Sequence, residues 1–194
     1  MVWSIVHPNI EVCRYILRQA DCRPDVVDDE GETPLHWLLH VDNASPEIAK
    51  MLIDHGAPVC AKDNHNQQPL YEAARIGNSV IGKMLLRHNA CIDEIENTRL
   101  WTALHQAVSK GHIDFVEMLL QHDPGPDISV EDNRSRTALH LPAKYGHSGI
   151  LEAILKYLAS DLRTNTEEHP ADSDRGTQAH LQTGKDSSDK INAL

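Results

Sequence analysis

Large aromatic side chains are scarce: one Phe, three Trp and four Tyr among 194 residues, 4% of the chain. A core built on bulky rings is excluded, so burial has to come from Leu, Ile, Val and Ala. Basic residues are also few, 18 Lys and Arg against 29 Asp and Glu, for a formal charge of −11. A field of that sign repels phosphate backbones and anionic lipid, which argues against nucleic acid or a membrane surface as the main partner. No apolar run approaches the roughly 20 residues of a membrane-spanning helix. Met1 to Asn9 has neither the basic flank nor the apolar stretch of a secretory signal. Only four cysteines occur, Cys13, Cys22, Cys60 and Cys91, and their spacing matches neither a zinc knuckle nor a redox CxxC. They read as reduced structural thiols of a soluble intracellular protein, cytoplasmic with the nucleus left open. A Gly-x-Ser-x-Gly elbow, a phosphate-cradling Gly loop and a His-Glu-x-x-His helix are all missing. The expectation is a protein without enzymatic activity, metal or cofactor.

What is present is an ordinary globular balance, 40% apolar and 24% charged, in a length that holds one domain or a short array. Self-similarity decides between the two. Thr33, Gln68, Thr102 and Thr137 recur every 34 or 35 residues, each opening a similar box: Thr33-Pro-Leu-His36, Gln68-Pro-Leu-Tyr71, Thr102-Ala-Leu-His105, Thr137-Ala-Leu-His140. An Asp or Asn precedes each box, as at Asp28, Asp63, Asn97 and Asp132. A Gly follows at Gly77, Gly111 and Gly146, and then an apolar pair, as in Met84-Leu-Leu and Met118-Leu-Leu. Thr followed by Pro or Ala is a helix start, and the Gly breaks that helix. Ile48, Met51 and Leu52 show the i, i+3, i+4 spacing of a second helix. The unit is therefore helix, turn, helix and a polar connection, repeated four times.

The box, the Gly-His turn at Gly111-His112 and Gly146-His147, the Leu pair and the Gly56-Ala57 step resemble the ankyrin repeat family over residues 28–162. The resemblance implies an all-α repeat solenoid, with a helix-turn-helix plus β-hairpin in each unit and all units stacked in one array. Residues 1–27 are expected to form a truncated N-terminal capping repeat, with Asn9 to Leu17 as its second helix and Val2 to Val6 as remains of a first. Residues 163–194 are polar, with no aromatic and few large aliphatics. They are expected to be a disordered tail or a degenerate repeat, for Asp174 to His180 faintly echoes the box. The same ends also fit a section of a longer scaffold.

The resemblance further implies a protein or peptide ligand held in a concave groove made by the tips and the first helices. Matching the units places Glu30, His65, Arg99 and Arg134 in one tip column, and Glu32, Gln67, Trp101 and Arg136 in the next. On the first helices the outward columns are His40, Arg75, Ser109, Lys144 and Val41, Ile76, Lys110, Tyr145. The groove is thus acidic in its first unit and basic in its third and fourth. The expected partner-binding residues are Arg75, Arg99, Trp101, Lys110, Arg134, Arg136, Lys144 and Tyr145, with Trp101 as an exposed anchor and an acidic or phosphorylated segment as ligand. The array is expected to be monomeric, or weakly self-associating through its terminal repeats. A second reading is a small-molecule or catalytic pocket where Trp37, His40 and the acidic tip meet. The histidines are assigned structural roles in the boxes, the Gly-His turns and the helix ends. Pro142 predicts a kink in the fourth first helix. The bulky Trp37-Leu38-Leu39 predicts a displaced helix or a filled gap, and Gln68 with Tyr71 predicts loss of the Thr–His bond in the second unit.

Overall fold

The structure is a computed structural model that describes residues 10–19, 22–41 and 43–167, the last seven by backbone alone. The expectations for Val2 to Val6 and for 168–194 lie outside the described residues. Nine helices occur among the described residues: α1 Ile10–Leu17, α2 Pro34–His40, α3 Pro46–Asp54, α4 Pro69–Ile76, α5 Ser79–Arg87, α6 Ala103–Lys110, α7 Ile113–Leu120, α8 His140–Tyr145 and α9 Ser148–Glu167. They form two rows. The inner row stacks α2 on α4, α4 on α6 and α6 on α8; the outer row runs α1, α3, α5, α7, α9. Each inner helix also packs on the outer helix that follows it.

Local chemistry explains where the helices start and stop. Pro34, Pro46 and Pro69 occupy first helical positions, where a missing N–H costs nothing. Asn78 Oδ1 accepts the Ile81 N–H at 3.0 Å and caps α5. Gly77 and Gly111 end α4 and α6 at φ of 75° and 78°. Their lack of a side chain also makes room for the next unit. A Cβ on Gly77 would lie 2.6 Å from His112 Nδ1, and one on Gly111 would lie 2.7 Å from His147 Cε1. His112 Nε2 donates to Arg75 O at 3.1 Å, so the Gly-His turn joins one unit to the one before it.

The core runs continuously through both rows and is aliphatic, with Leu35, Leu38, Leu39, Ile48, Ile81, Leu85, Leu119 and Ile154 fully buried. Phe115, the one Phe of the chain, is fully buried too. Leu38 and Leu39 fill the core beside the first units, so the extra bulk there is absorbed by burial. α1 packs on α3 as an outer helix with Cys13 and Leu17 inward.

Two expectations need correction. No strand occurs among the described residues, so the hairpins are tight turns. Each turn closes on one backbone hydrogen bond at its base: Asp28 to Glu32, Asp63 to Gln67, Glu96 to Trp101 and Asp132 to Arg136. A carboxylate takes the amides beyond it, which leaves too few main-chain pairs for a ladder. Next, α8 is not kinked but starts late. It begins at His140, whereas α2, α4 and α6 begin directly after Thr33, Gln68 and Thr102. Pro142 has no N–H to donate to Ala138 O, so the helical ladder cannot form one turn earlier. The outer row ends on α9, whose helix continues through Glu167.

Candidate functional site

The tips are built by one acidic residue each. Asp28 Oδ1 accepts the amides of Glu30 and Glu32 at 2.9 and 2.8 Å, and Asp63 Oδ1 those of His65 and Gln67 at 2.9 and 2.7 Å. Glu96 serves Thr98 and Arg99 at 2.7 and 2.5 Å, and Asp132 Oδ1 serves Arg134 and Arg136 at 2.8 and 3.0 Å. An asparagine then joins each tip to the one before. Asn64 N donates to Glu30 O, Asn97 N to His65 O and Asn133 N to Arg99 O, at 2.9, 3.0 and 2.9 Å. The side-chain amides of Asn64 and Asn133 add bonds to Asp29 O and Thr98 O. The result is one rigid edge on which the residues between the braces point outward. Sequence reading named Asp28, Asp63 and Asp132 as preceding each box but missed their bracing role, Glu96 and the asparagine column, although Asp or Glu followed by Asn recurs in three units at 63–64, 96–97 and 132–133.

On that edge and the inner helices the expected binding residues fall into two groups. Arg99, Lys110, Arg134 and Lys144 are exposed, and among the described residues none forms an ion pair with a carboxylate. Tyr145 is 40% exposed beside them, with Lys144 Nζ 4.9 Å from its ring centroid. The other three are committed to the scaffold. Arg75 donates through Nε to Glu72 at 2.5 Å and through its guanidinium to Leu39 O at 3.3 Å. Arg136 forks onto Asp132 Oδ2 at 2.9 and 2.6 Å.

Trp101 is the main departure. It is 2% exposed, not an open anchor. Its Nε1 donates to Asp132 Oδ2 at 3.2 Å, and its ring stacks on His105 at 6.4 Å between centroids. Arg99 covers the outer face of the indole, with its Cζ 4.7 Å from the ring centroid. Trp101 is thus a buried support that holds Arg99 and Asp132 in place. The hydrogen bonds from Arg136, from two backbone amides and from Trp101 hold the Asp132 carboxyl far below its ordinary range, although burial opposes them.

At the acidic end, His40 Nε2 lies 3.5 Å from both Glu32 Oε1 and Glu72 Oε2. Glu72 is 3% exposed, and the hydrogen bonds from His40 and Arg75 hold its pKa down against burial. The His40 imidazole is pushed up, first by Glu72, and burial pushes Glu32 up. Trp37 Nε1 is bound to Asp28 Oδ2 at 2.7 Å. The groups proposed for a reactive pocket therefore spend their polar atoms on one another. An open cavity of about 570 Å³ lies elsewhere, between outer helices, lined in part by Lys83, Met84, Arg87 and Met118.

Five further described histidines sit in structural positions. His36 Nδ1 accepts the Thr33 N–H at 3.2 Å while Nε2 donates to Gln67 O at 3.2 Å. His105 and His140 accept from Thr102 and Thr137 in the same way. Burial lowers the pKa of His36 and His105, which keeps the neutral, accepting ring. His55 and His88 each donate Nδ1–H to the carbonyl four residues back, at 2.7 and 2.9 Å, and so cap α3 and α5. In the second unit Gln68 bonds to Cys60 O instead of a box partner. Among the described residues no group of three or more His, Cys, Asp or Glu is placed to hold a metal ion. No described helix is long and apolar enough to cross a membrane.

Comparison with known proteins decides the family. A family model described as ankyrin repeats in three copies matches residues 1–96 and 92–166. The chain belongs to the ankyrin-repeat family. Among related ankyrin-repeat segments, the SMC5-SMC6 complex localization factor protein 1 of Homo sapiens is 33% identical over 93 residues, 48% of this chain and 9% of that protein. The glycerophosphocholine phosphodiesterase gde1 of Schizosaccharomyces pombe is 35% identical over 101 residues, 52% of this chain and 9% of its own. The probable 26S proteasome regulatory subunit p28 of Saccharomyces cerevisiae is 31% identical over 115 residues, 58% of this chain and 49% of its own. The ankyrin segment spans less than half of each of these relatives.

Proposed function

We propose that this ankyrin array is a non-enzymatic docking module that holds a protein or peptide segment, acidic or phosphorylated, along its inner edge. The observation that carries the proposal is the cluster of exposed cations at Arg99, Lys110, Arg134 and Lys144 that the array leaves without carboxylate partners, on a protein of charge −11. A cation without a local partner keeps its full attraction for an incoming anion, and the acidic remainder repels the same ligand elsewhere. Tyr145 beside Lys144 adds an amphipathic contact. Arg75 and Arg136 position the surface rather than meet the ligand, because their guanidinium groups are already bound. The chain matches part of a localization factor, of a phosphodiesterase and of a proteasome subunit, and similarity to proteins of such different names fits a module that recognises rather than reacts. We assign residues 28–162 to the four repeats and residues 1–27 to a truncated cap. The protein works in the cytoplasm or the nucleus.

The test is selection from a random peptide library with phosphorylated and unphosphorylated members, followed by titration of the selected peptides. Enriched peptides should carry clustered acidic or phosphorylated residues. The Arg134→Ala/Lys144→Ala variant should bind them about 10- to 100-fold more weakly, at roughly 1–3 kcal/mol, with its thermal unfolding unchanged. Selection without acidic bias, or equal binding by the variant, would overturn the assignment.

A further inference from the structure

The docking surface makes no use of the cysteines, and two of them face each other across a repeat boundary. Cys60 lies in the connection from α3 to α4, and Cys91 in the connection from α5 to α6. Their sulfurs are 3.8 Å apart. Cys91 is exposed and Cys60 is half-buried, so a small oxidant can reach the pair. Cys60 Sγ also donates to Asn89 O at 3.4 Å, which turns its sulfur toward the strip of chain that carries Cys91. On the inner side lies the Gln68 amide, 3% exposed, which donates to Cys60 O at 3.2 Å and leaves its own Oε1 without a partner. Lys62 and Glu94 close the opposite side with an ion pair at 2.7 Å. Two thiols are therefore held at the edge of bonding distance by groups that belong to neighbouring repeats.

We propose that Cys60 and Cys91 form an oxidisable dithiol that a peroxide converts to a disulfide, stapling consecutive repeats together. The sulfurs need only close from 3.8 Å to the roughly 2.0 Å of a disulfide. The steps balance with the peroxide as the sole oxidant. The Cys91 thiol loses its proton, the thiolate attacks one peroxide oxygen, the O–O bond breaks, and the departing hydroxide takes up that proton, leaving Cys91 sulfenic acid and water. Cys60 sulfur then attacks the Cys91 sulfur. The S–O bond breaks, the Cys60 thiol proton goes to the departing oxygen, and a second water leaves. Both thiols are oxidised together by two electrons, and the peroxide is reduced to two waters. Contact with Cys60 and burial push the Cys91 thiol up, so thiolate is the limiting species and the reaction is slow near neutral pH, faster in mild alkali. The staple joins the connection that leads into α4 to the one that leads into α6. It would restrain relative movement of the two units that flank the middle of the groove.

The test uses the full chain, reduced and then treated with hydrogen peroxide at pH 7 and pH 8.5, with the reaction stopped by a thiol alkylator. Oxidised chains should take up two fewer alkyl groups than reduced ones and, apart from those groups, weigh about 2 Da less, with one linked pair of peptides containing Cys60 and Cys91, in monomeric protein. The linked fraction should grow faster at pH 8.5. In guanidinium the same treatment should scatter links among the six possible pairs of the four cysteines, so the 60–91 share should rise from roughly a sixth when unfolded to nearly all of the links when folded. Cys60→Ser and Cys91→Ser, each checked by circular dichroism, should both abolish the link. Recovery of Cys60 and Cys91 from folded protein as separate alkylated or sulfinic residues would overturn the proposal. So would a link found only between two chains.

Discussion

Asp132 carries more of the architecture than any surface charge does. Its two oxygens accept from the Arg134 and Arg136 amides, the Arg136 fork and the Trp101 indole. A neutral amide in its place keeps the shape, but it loses the charge and presents N–H groups to donors. Asp132→Asn is expected to lower stability by about 2 kcal/mol at pH 7, measured by urea unfolding. The sign of the pH effect follows from the depressed carboxyl. Stability from Asp132 is present above its unfolded value of about 4 and is lost as pH falls toward the lower folded value. The gap between wild type and Asp132→Asn should therefore narrow below about pH 4, and a gap that stays constant down to pH 3 would contradict this account. The same residue shows what was legible at this scale. Column positions could be read from spacing alone, which placed Trp101 at a tip. Its direction could not, because whether an indole turns outward depends on a buried acceptor 31 residues further along the chain. The ion pair of Arg75 was not legible for the same reason, since it depends on Glu72 one helical turn earlier turning toward it.

At the scale of elements, spacing and punctuation placed the helices well, because Thr, Pro and Gly act on the backbone within a turn of themselves. The expected strands failed because strand formation needs a partner, and here the tip amides go to Asp or Glu side chains and to asparagines of adjacent tips. The late start of α8 was half legible. Pro142 announced a defect, but not whether the helix would bend or begin later. Gly82 in α5 is a better test of packing against propensity. Replacing a helical Gly by Ala gains about 1 kcal/mol of propensity. A Cβ at Gly82, however, would lie 2.6 Å from Phe115 Cε2 and 2.7 Å from Met118 Cε. Met118 ends in a flexible thioether and can move away. Phe115 is fully buried and cannot, so overpacking of roughly 1–3 kcal/mol dominates. Gly82→Ala should lower the urea midpoint with little change in slope, by a net of up to about 2 kcal/mol. A stabilised variant would mean that α5 and α7 are free to slide apart.

Among the described residues the helices of the two rows make their main contacts with neighbours in series, so cooperativity has to be transmitted unit by unit. That predicts different reach for defects at the centre and at the end. Phe115 on α7 meets α5 and the core on both sides, whereas Ile154 on α9 closes the array against α7 and α8. Both are fully buried, and truncation of either to Ala costs several kcal/mol, about 2–5 for an Ile and 3–5 for a Phe. If stability were pooled over one globular core, both variants would lose amide protection everywhere. In a linear array, Ile154→Ala should speed hydrogen exchange in α8 and α9 and leave α4 protected. Phe115→Ala removes the interface in the middle, so exchange should rise in α4 and α5 as well as in α8. The comparison bears on function too. Arg99 and Lys110 sit on the third unit and Arg134 and Lys144 on the fourth, so fraying of α8 and α9 displaces half of the cationic surface from the other half. Ile154→Ala should therefore weaken an acidic peptide nearly as much as loss of Arg134 and Lys144 themselves, although Ile154 touches no ligand. Unchanged peptide affinity in a variant whose α8 exchanges freely would show that the third unit binds alone.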